Sequence, residues 1–302
     1  MLNTSRETAE VNDVATLSPV QTDQLKAIIK DIDSIPSLPS VVAEVHEAIR
    51  DPRVNATYVG KIISRDQSLS AKTLRLVNSA FYGFPRKINN ITRAIIVMGF
   101  NKVSNLALTA SILDAFKRRD QDFDYAGFWK HALGSAIAAE ALAKNLKSGE
   151  FEDAFVAGLL HDIGKLVMAL YAREAFAKIR EHVQEADVLM LEAEMELYEI
   201  DHALVGAWLA DAWKFPPKLT RAIRLHHNPE AAREHQEIIY ITHISDILCR
   251  ALGIGNGGDN RIPLVNRKVW NALKLNDAVI DACMGEIYAG LDKAKDFLEL
   301  LN

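Results

Sequence analysis

The sequence predicts an all-α fold, a multi-helix bundle with no sheet. Three observations carry that reading. Apolar residues recur at spacings of three and four, beginning with Leu25, Ile28, Ile29 and Ile32. No segment sustains the alternation of a half-buried strand. Prolines, glycines and short polar residues fall between the apolar runs, where helices start and stop.

The chain divides into segments in order. Residues 1–18 are polar and aperiodic and read as a loose tail, and 19–118 form an N-terminal helical subdomain. Within it, the run through Leu25 to Ile32 is followed by Pro36 and Pro39, each of which disfavours helix in the residue before it. A helix through Val41, Val45 and Ala48 stops at Asp51-Pro52, and one through Val59, Ile62 and Ile63 ends near Asp66. Ser68 is read as the N-cap of a helix through Leu74, Leu76 and Val77. Gly83 to Pro85 is a turn, Asn90 caps the helix that Gly99 ends, and Asn101–Lys117 is helical. Residues 119–252 form a second helical subdomain. Its helices are expected at Tyr125–Lys147, Phe151–Tyr171, Arg173–Ala186, Val188–Glu199, His202–Trp213, Pro217–His227 and His235–Leu252. Residues 253–265 are a loop and 266–302 return to helix. Gly253, Gly255 and Gly258 match the spacing of a dinucleotide-binding loop, but they follow a helix rather than a strand, so a flexible connector is the reading kept.

Composition narrows the function. With 302 residues, 49% apolar and 25% charged, the chain has length for a large core. A net charge of −5 gives no whole-chain attraction to nucleic acid or anionic membrane. Cys249 and Cys283, the only cysteines, form neither a disulfide framework nor a close metal-binding pair, which fits a cytoplasmic setting. No basic start followed by an apolar stretch reads as a signal peptide, and no apolar run is expected to approach membrane-spanning length. Against this background residues 51–102 are basic, with nine lysines and arginines against Asp51 and Asp66. That stretch is either a solvated face that meets an acidic partner or the acidic second half, or a nucleic-acid footprint, which is disfavoured. Phe81, Tyr82 and Phe84 beside it are either an exposed anchor or packing between subdomains.

Seven residues carry the chemistry: His131, His161, Asp162, His202, His226, His227 and Asp246. They recur one helix apart, and imidazole with carboxylate suits zinc, iron, manganese or nickel. Such a series can enclose one or two divalent ions, with a shared carboxylate in the second case, an arrangement used on phosphate esters. Adjacent helical residues point about 100° apart, so His161 and Asp162 reach one site only near a bend or a small neighbour. Gly158 and Gly164 supply small neighbours. A helix C-terminus, where His226 and His227 precede Asn228-Pro229, favours a cation. The remaining histidines, His46, His182 and His235, read as structural or surface residues. His243 is open between that role and support of a ligand. Asp201 reads as a helix cap.

The run Gly158-Leu-Leu-His161-Asp162-Ile-Gly164-Lys165 resembles the signature of HD-domain metal-dependent phosphohydrolases. Ile35-Pro-Ser-Leu-Pro39, Asp66-Gln-Ser-Leu69, Leu76-Val-Asn78-Ser79-Ala-Phe-Tyr82-Gly83 and Ala94-Ile-Ile-Val-Met-Gly99 resemble the helical N-terminal part of the HDOD family. The resemblance covers roughly residues 20 to 255 and implies an HD-type helical bundle and a role in bacterial signalling. Many members have lost part of the ligand set, whereas this sequence keeps it. Carried over, one ion takes His131, His161, Asp162 and Asp246, and a second shares Asp162 and takes His202, His226 and His227. Lys165 either faces a phosphate oxygen or pairs with Asp162. The HD-GYP phosphodiesterases differ: their loop after the paired histidines is absent, and Gly127 stands where some carry an acidic third-metal ligand. Cyclic di-GMP hydrolysis is therefore disfavoured. The leading expectation is a cytoplasmic signalling output protein that binds a protein partner and carries a structural or sensory metal site. Its alternatives are a metal-dependent phosphohydrolase acting on a nucleotide or phosphodiester through Asp162 and Lys165, and DNA binding by the basic first half.

Overall fold

The computed structural model describes residues 40–48, 51, 53–116 and 123–294. The expected tail, the run from Leu25 to Pro39, Lys117 and the last eight residues lie outside them. Every regular element among the described residues is helical. In the first half these are α1 (Ser40–Ala48), α2 (Ala56–Ser64), α3 (Gln67–Val77), α4 (Ile91–Met98) and α5 (Phe100–Ala115). The second half holds α6 (Tyr125–Asn145), α7 (Phe151–Leu160), α8 (Ile163–Tyr171), α9 (Arg173–Ala186), α10 (Met190–Tyr198), α11 (His202–Ala212), α12 (Pro217–Leu225), α13 (Gln236–Ala251), α14 (Arg267–Ala272) and α15 (Asp277–Lys293).

Local chemistry sets the boundaries. The Asn55, Asp66, Asn90 and Asp201 side chains each accept a backbone N–H of the helix that follows, relieving one of its unpaired first-turn donors. Asp66, not Ser68, thus caps α3: its carboxylate takes the Leu69 N–H at 2.9 Å. Gly99 ends α4 at φ 91°, a conformation costly for any residue with a Cβ. The helix expected over Phe151–Tyr171 is two, broken at His161-Asp162. The one expected through His227 stops at Leu225, so both histidines of the pair lie past its end.

α6 organises the second half. Most of it is buried, with Ala132, Ala136, Ala138, Ala139 and Ala143 letting α7, α13 and α15 approach closely. A single cluster of buried apolar residues runs from Val42 to Ala294, and a smaller one joins α6, α13, α14 and α15 through Leu142, Ile244, Val269 and Cys283. The aromatic trio is packing: Phe81 lies 6.0 Å from Phe155, and Lys102 stands over the Tyr82 ring while pairing with Glu140. Several bases of the first half are likewise paired within the chain, Arg65 with Glu44 and Lys72 with Asp114. The expectation that no apolar run reaches membrane-spanning length needs correction. Asp153–Tyr171 has the length and a mean hydropathy of 1.4, but 89% of it is buried, as the α7–α8 pair of the core.

Candidate metal centre

The break between α7 and α8 builds the site. Gly164 begins α8 against α11, where an added Cβ would stand 1.9 Å from the His202 carbonyl oxygen. Gly158 presses α7 onto α6, where a Cβ would meet the Ser135 carbonyl oxygen at 2.5 Å. Only glycine allows both crossings, and together they bring His131 of α6, His161-Asp162, and His202 of α11 to one point. α12 delivers His226 and His227 from its C-terminal end, and α13 delivers Asp246.

All seven residues converge. Two groups have ligand atoms mutually within 4.8 Å: Asp162, His202, His226 and His227, and His131, His161 and Asp246. Asp162 lies between them. Its Oδ2 is 3.3 Å from His161 Nε2 and 3.7 Å from His131 Nε2, while its Oδ1 is 3.2 Å from His202 Nε2 and 3.7 Å from His226 Nε2. Asp246 Oδ1 is 3.1 Å from His131 Nε2 and 3.7 Å from His161 Nε2. Six of the seven are buried, and only His227 reaches solvent, half-buried at the rim.

Ring orientation follows from hydrogen bonding. His161 Nδ1 faces the Gly158 carbonyl oxygen at 2.7 Å, His226 Nδ1 that of Ile223 at 2.7 Å, and His131 Nδ1 that of Ile254 at 3.3 Å. A carbonyl oxygen only accepts, so each Nδ1 must donate. The Nε2 atoms are then aimed inward, each with a lone pair free for a cation once its ring is neutral. His131 Nε2, His161 Nε2, His226 Nε2, Asp162 Oδ1 and Asp246 Oδ1 are buried and make no hydrogen bond in this structure. Orphaned buried polar atoms are rare because each forfeits its solvation. Five of them within two adjoining ligand groups fit bound cations.

The electrostatics agree. Three buried carboxylates, Asp162, Asp246 and Glu194, surround the histidines with one buried lysine, Lys165. Burial opposes charge on His161, but Asp162 and Asp246 outweigh it and push its pKa up to about 10. Burial also opposes charge on the two aspartates. The imidazoles beside them, with Lys165 at Asp162, hold both well below the usual carboxylate range. His226 moves the other way, down to about 4, through burial and the neighbouring His161 and His202. Metal-free, the centre draws positive charge onto His161.

Lys165 donates to Asp162 Oδ2 and to the Gly257 carbonyl oxygen, both at 2.7 Å. The pairing with Asp162 is therefore present. His243 donates through Nδ1 to the His226 carbonyl oxygen at 2.7 Å and accepts the Asn266 N–H at Nε2, so it supports the turn that presents the paired histidines. His182 meets Glu196 at 2.7 Å and His235 lies exposed before α13.

Two parts of the site escaped sequence reasoning. Glu194 of α10, fully buried, accepts both the backbone N–H of His202 at 2.9 Å and its Nδ1–H at 2.6 Å. The available signal was an acid on the Met190–Ala193 stripe, the buried side of its helix. The other is the glycine loop, expected as a flexible connector but fastened over the centre. Ile254 holds His131, Gly257 holds Lys165, the Asn256 N–H bonds the Gly127 carbonyl oxygen, and Asp259 pairs with Arg250 and accepts the Met190 N–H. Gly127 has a packing reason, since a Cβ there would meet the Asp124 carboxylate and Asn256.

Comparison with known proteins shows the family. The HDOD domain model matches residues 35–229. An uncharacterized protein of Treponema pallidum (strain Nichols) is 30% identical over 237 residues, 77% of this chain but only 45% of its own length. The chain thus spans less than half of that relative. An HDOD domain protein of unknown function from Geobacter sulfurreducens has a similar structure, with a TM-score of 0.71 and 26% identity, over 92% of this chain and 95% of that one. So does a candidate phosphohydrolase from Shewanella amazonensis SB2B, with a TM-score of 0.67 and 26% identity, over 91% of this chain and 96% of that one. The breadth of the family match, nearly two thirds of the sequence, and the shared all-helical architecture place this chain in the HDOD domain family.

Proposed function

We propose that this chain is a bacterial, cytoplasmic signalling output protein whose buried centre binds two divalent cations and governs how it engages a protein partner. The observation that supports metal binding is the set of five orphaned donor atoms, Asp162 Oδ1 among them, gathered in one buried centre by the two adjoining ligand groups. His131, His161 and Asp246 with Asp162 would hold one ion, and His202, His226 and His227 with Asp162 would hold the other. Iron, manganese, zinc and nickel all suit imidazole and carboxylate donors. A structural or sensory role is favoured over turnover because the ammonium of Lys165 is engaged by Asp162 and Gly257, and the loop from Ile254 to Asp259 closes one side.

A second reading, a metal-dependent phosphohydrolase acting on a nucleotide or phosphodiester, is favoured by the half-buried rim at His227 and by the name of the Shewanella protein. When bound, the ions would supply Lewis acidity toward a phosphate ester. The chain's own part is to orient the imidazoles through Nδ1, hold Asp162 ionised between the groups, and keep bulk water from the side under the loop.

Metal analysis of protein purified without chelator is the test, with close to two equivalents expected and none in the Asp162→Ala variant. Uptake unchanged by that substitution would overturn the assignment. A phosphodiesterase screen with added manganese or iron separates the readings. Turnover that disappears in Asp162→Ala establishes the hydrolase; no turnover, together with metal-dependent capture of a partner, supports the output protein.

A further inference from the structure

Resting on that two-ion reading, we infer that Glu194 is a positioning residue for one ion only, the one held by His202, His226 and His227. His131, His161 and His226 each use a backbone carbonyl oxygen to fix the ring. His202 alone among these uses a carboxylate. Glu194 Oε2 accepts its Nδ1–H at 2.6 Å and its backbone N–H at 2.9 Å, so one oxygen fixes both the ring and the start of α11. That leaves His202 Nε2 directed at Asp162 Oδ1, 3.2 Å away, and at His227 Nε2, 2.9 Å away. A buried carboxylate on the far nitrogen also makes the imidazole a stronger donor than a carbonyl oxygen does. Glu194 makes no comparable contact with His131, His161 or Asp246, and the two rings of that group are held from the loop after α13 and from α7. Loss of Glu194 therefore weakens one of the two positions.

The test uses the full chain, stripped of metal and titrated with Co²⁺, with uptake followed by visible absorbance and bound cobalt. Wild type is expected to take two equivalents. Glu194→Ala should weaken one of them about 10- to 100-fold, the usual cost of losing such a partner, and leave the other unchanged. Glu194→Gln, which keeps an acceptor oxygen but not the charge, should fall between. Equal weakening of both equivalents, or of neither, would overturn the inference. A second readout needs no metal: ¹⁵N NMR of the metal-free protein should show His202 Nδ1 protonated in wild type and partly deprotonated in Glu194→Ala. An unchanged Nδ1 signal in the variant would also overturn it. Wild type that takes up no cobalt would overturn the two-ion reading, while the NMR comparison would still decide whether Glu194 sets the His202 ring.

Discussion

Asp162 is the residue on which the centre depends, because its two oxygens face different histidine groups and Lys165 rests on one of them. Replacing it with alanine leaves the buried Lys165 without its carboxylate and His161 with Asp246 alone. The cost should be roughly 3–5 kcal/mol, as for other buried pairs broken on one side. Chemical denaturation of the metal-free protein checks this, and a loss below 1 kcal/mol would mean the centre relaxes freely. The pH dependence has a definite sign. His161 has a folded pKa of about 10 against 6.5 unfolded, so its stabilising contribution is complete below 6.5 and disappears as pH rises through about 10. His226, lowered to about 4, contributes above 6.5, and that contribution disappears as pH falls toward 4. The metal-free protein should therefore lose urea resistance on both sides of neutrality. Because ions bind only the deprotonated imidazole, loading near pH 7.5 should release a proton from His161. Calorimetry in two buffers of different ionisation enthalpy measures it; equal heats in both would contradict the charged His161.

At the scale of elements, helix crossings decide whether the ligands meet. Gly164→Ala places a Cβ 1.9 Å from the His202 carbonyl oxygen, a backbone atom that cannot swing aside. α8 and α11 must separate, at about 1–3 kcal/mol, and metal uptake should fall with the melting temperature. A substitution far from the centre gives the contrast. Asn78 fastens the turn after α3, donating to the Leu74 and Ile88 carbonyl oxygens and accepting the Ile88 N–H. Asn78→Ala should cost about 1–3 kcal/mol in thermal unfolding while metal stoichiometry stays at the wild-type value. The close approach at Gly158 and Gly164 was legible in the sequence, since two neighbouring ligands on one helix reach one site only near a bend or a small neighbour. The helix break itself was not, because an apolar run through His161-Asp162 has the same periodicity with or without one.

For the whole molecule, the two candidate ligand groups differ in access. The loop from Ile254 to Asp259 covers the His131 side, whereas His227 brings the other group to the surface. A chelator should therefore remove one equivalent quickly and the other slowly. Asp259→Ala, which removes the loop's ion pair with Arg250 and its hold on the N-terminus of α10, should accelerate the slow phase. A time course with a single rate, unaffected by that change, would remove the loop from any gating role. The basic stretch of the first half is partly neutralised by the chain's own acids, Glu44, Asp114 and Glu140, which leaves a smaller charged face than the residue count implied.

By itself the sequence determined the helical class, the family resemblance and the seven candidate ligands, because periodicity, caps and the spacing of imidazoles and carboxylates are local properties of the chain. Tertiary structure decided what those residues do together. It put Asp162 between two groups, gave Lys165 to Asp162 and Gly257, brought Glu194 under His202, and turned a glycine-rich connector into a cover. Each of these depends on contacts between segments far apart in the chain, and their side chains meet only once helix packing has fixed the crossings.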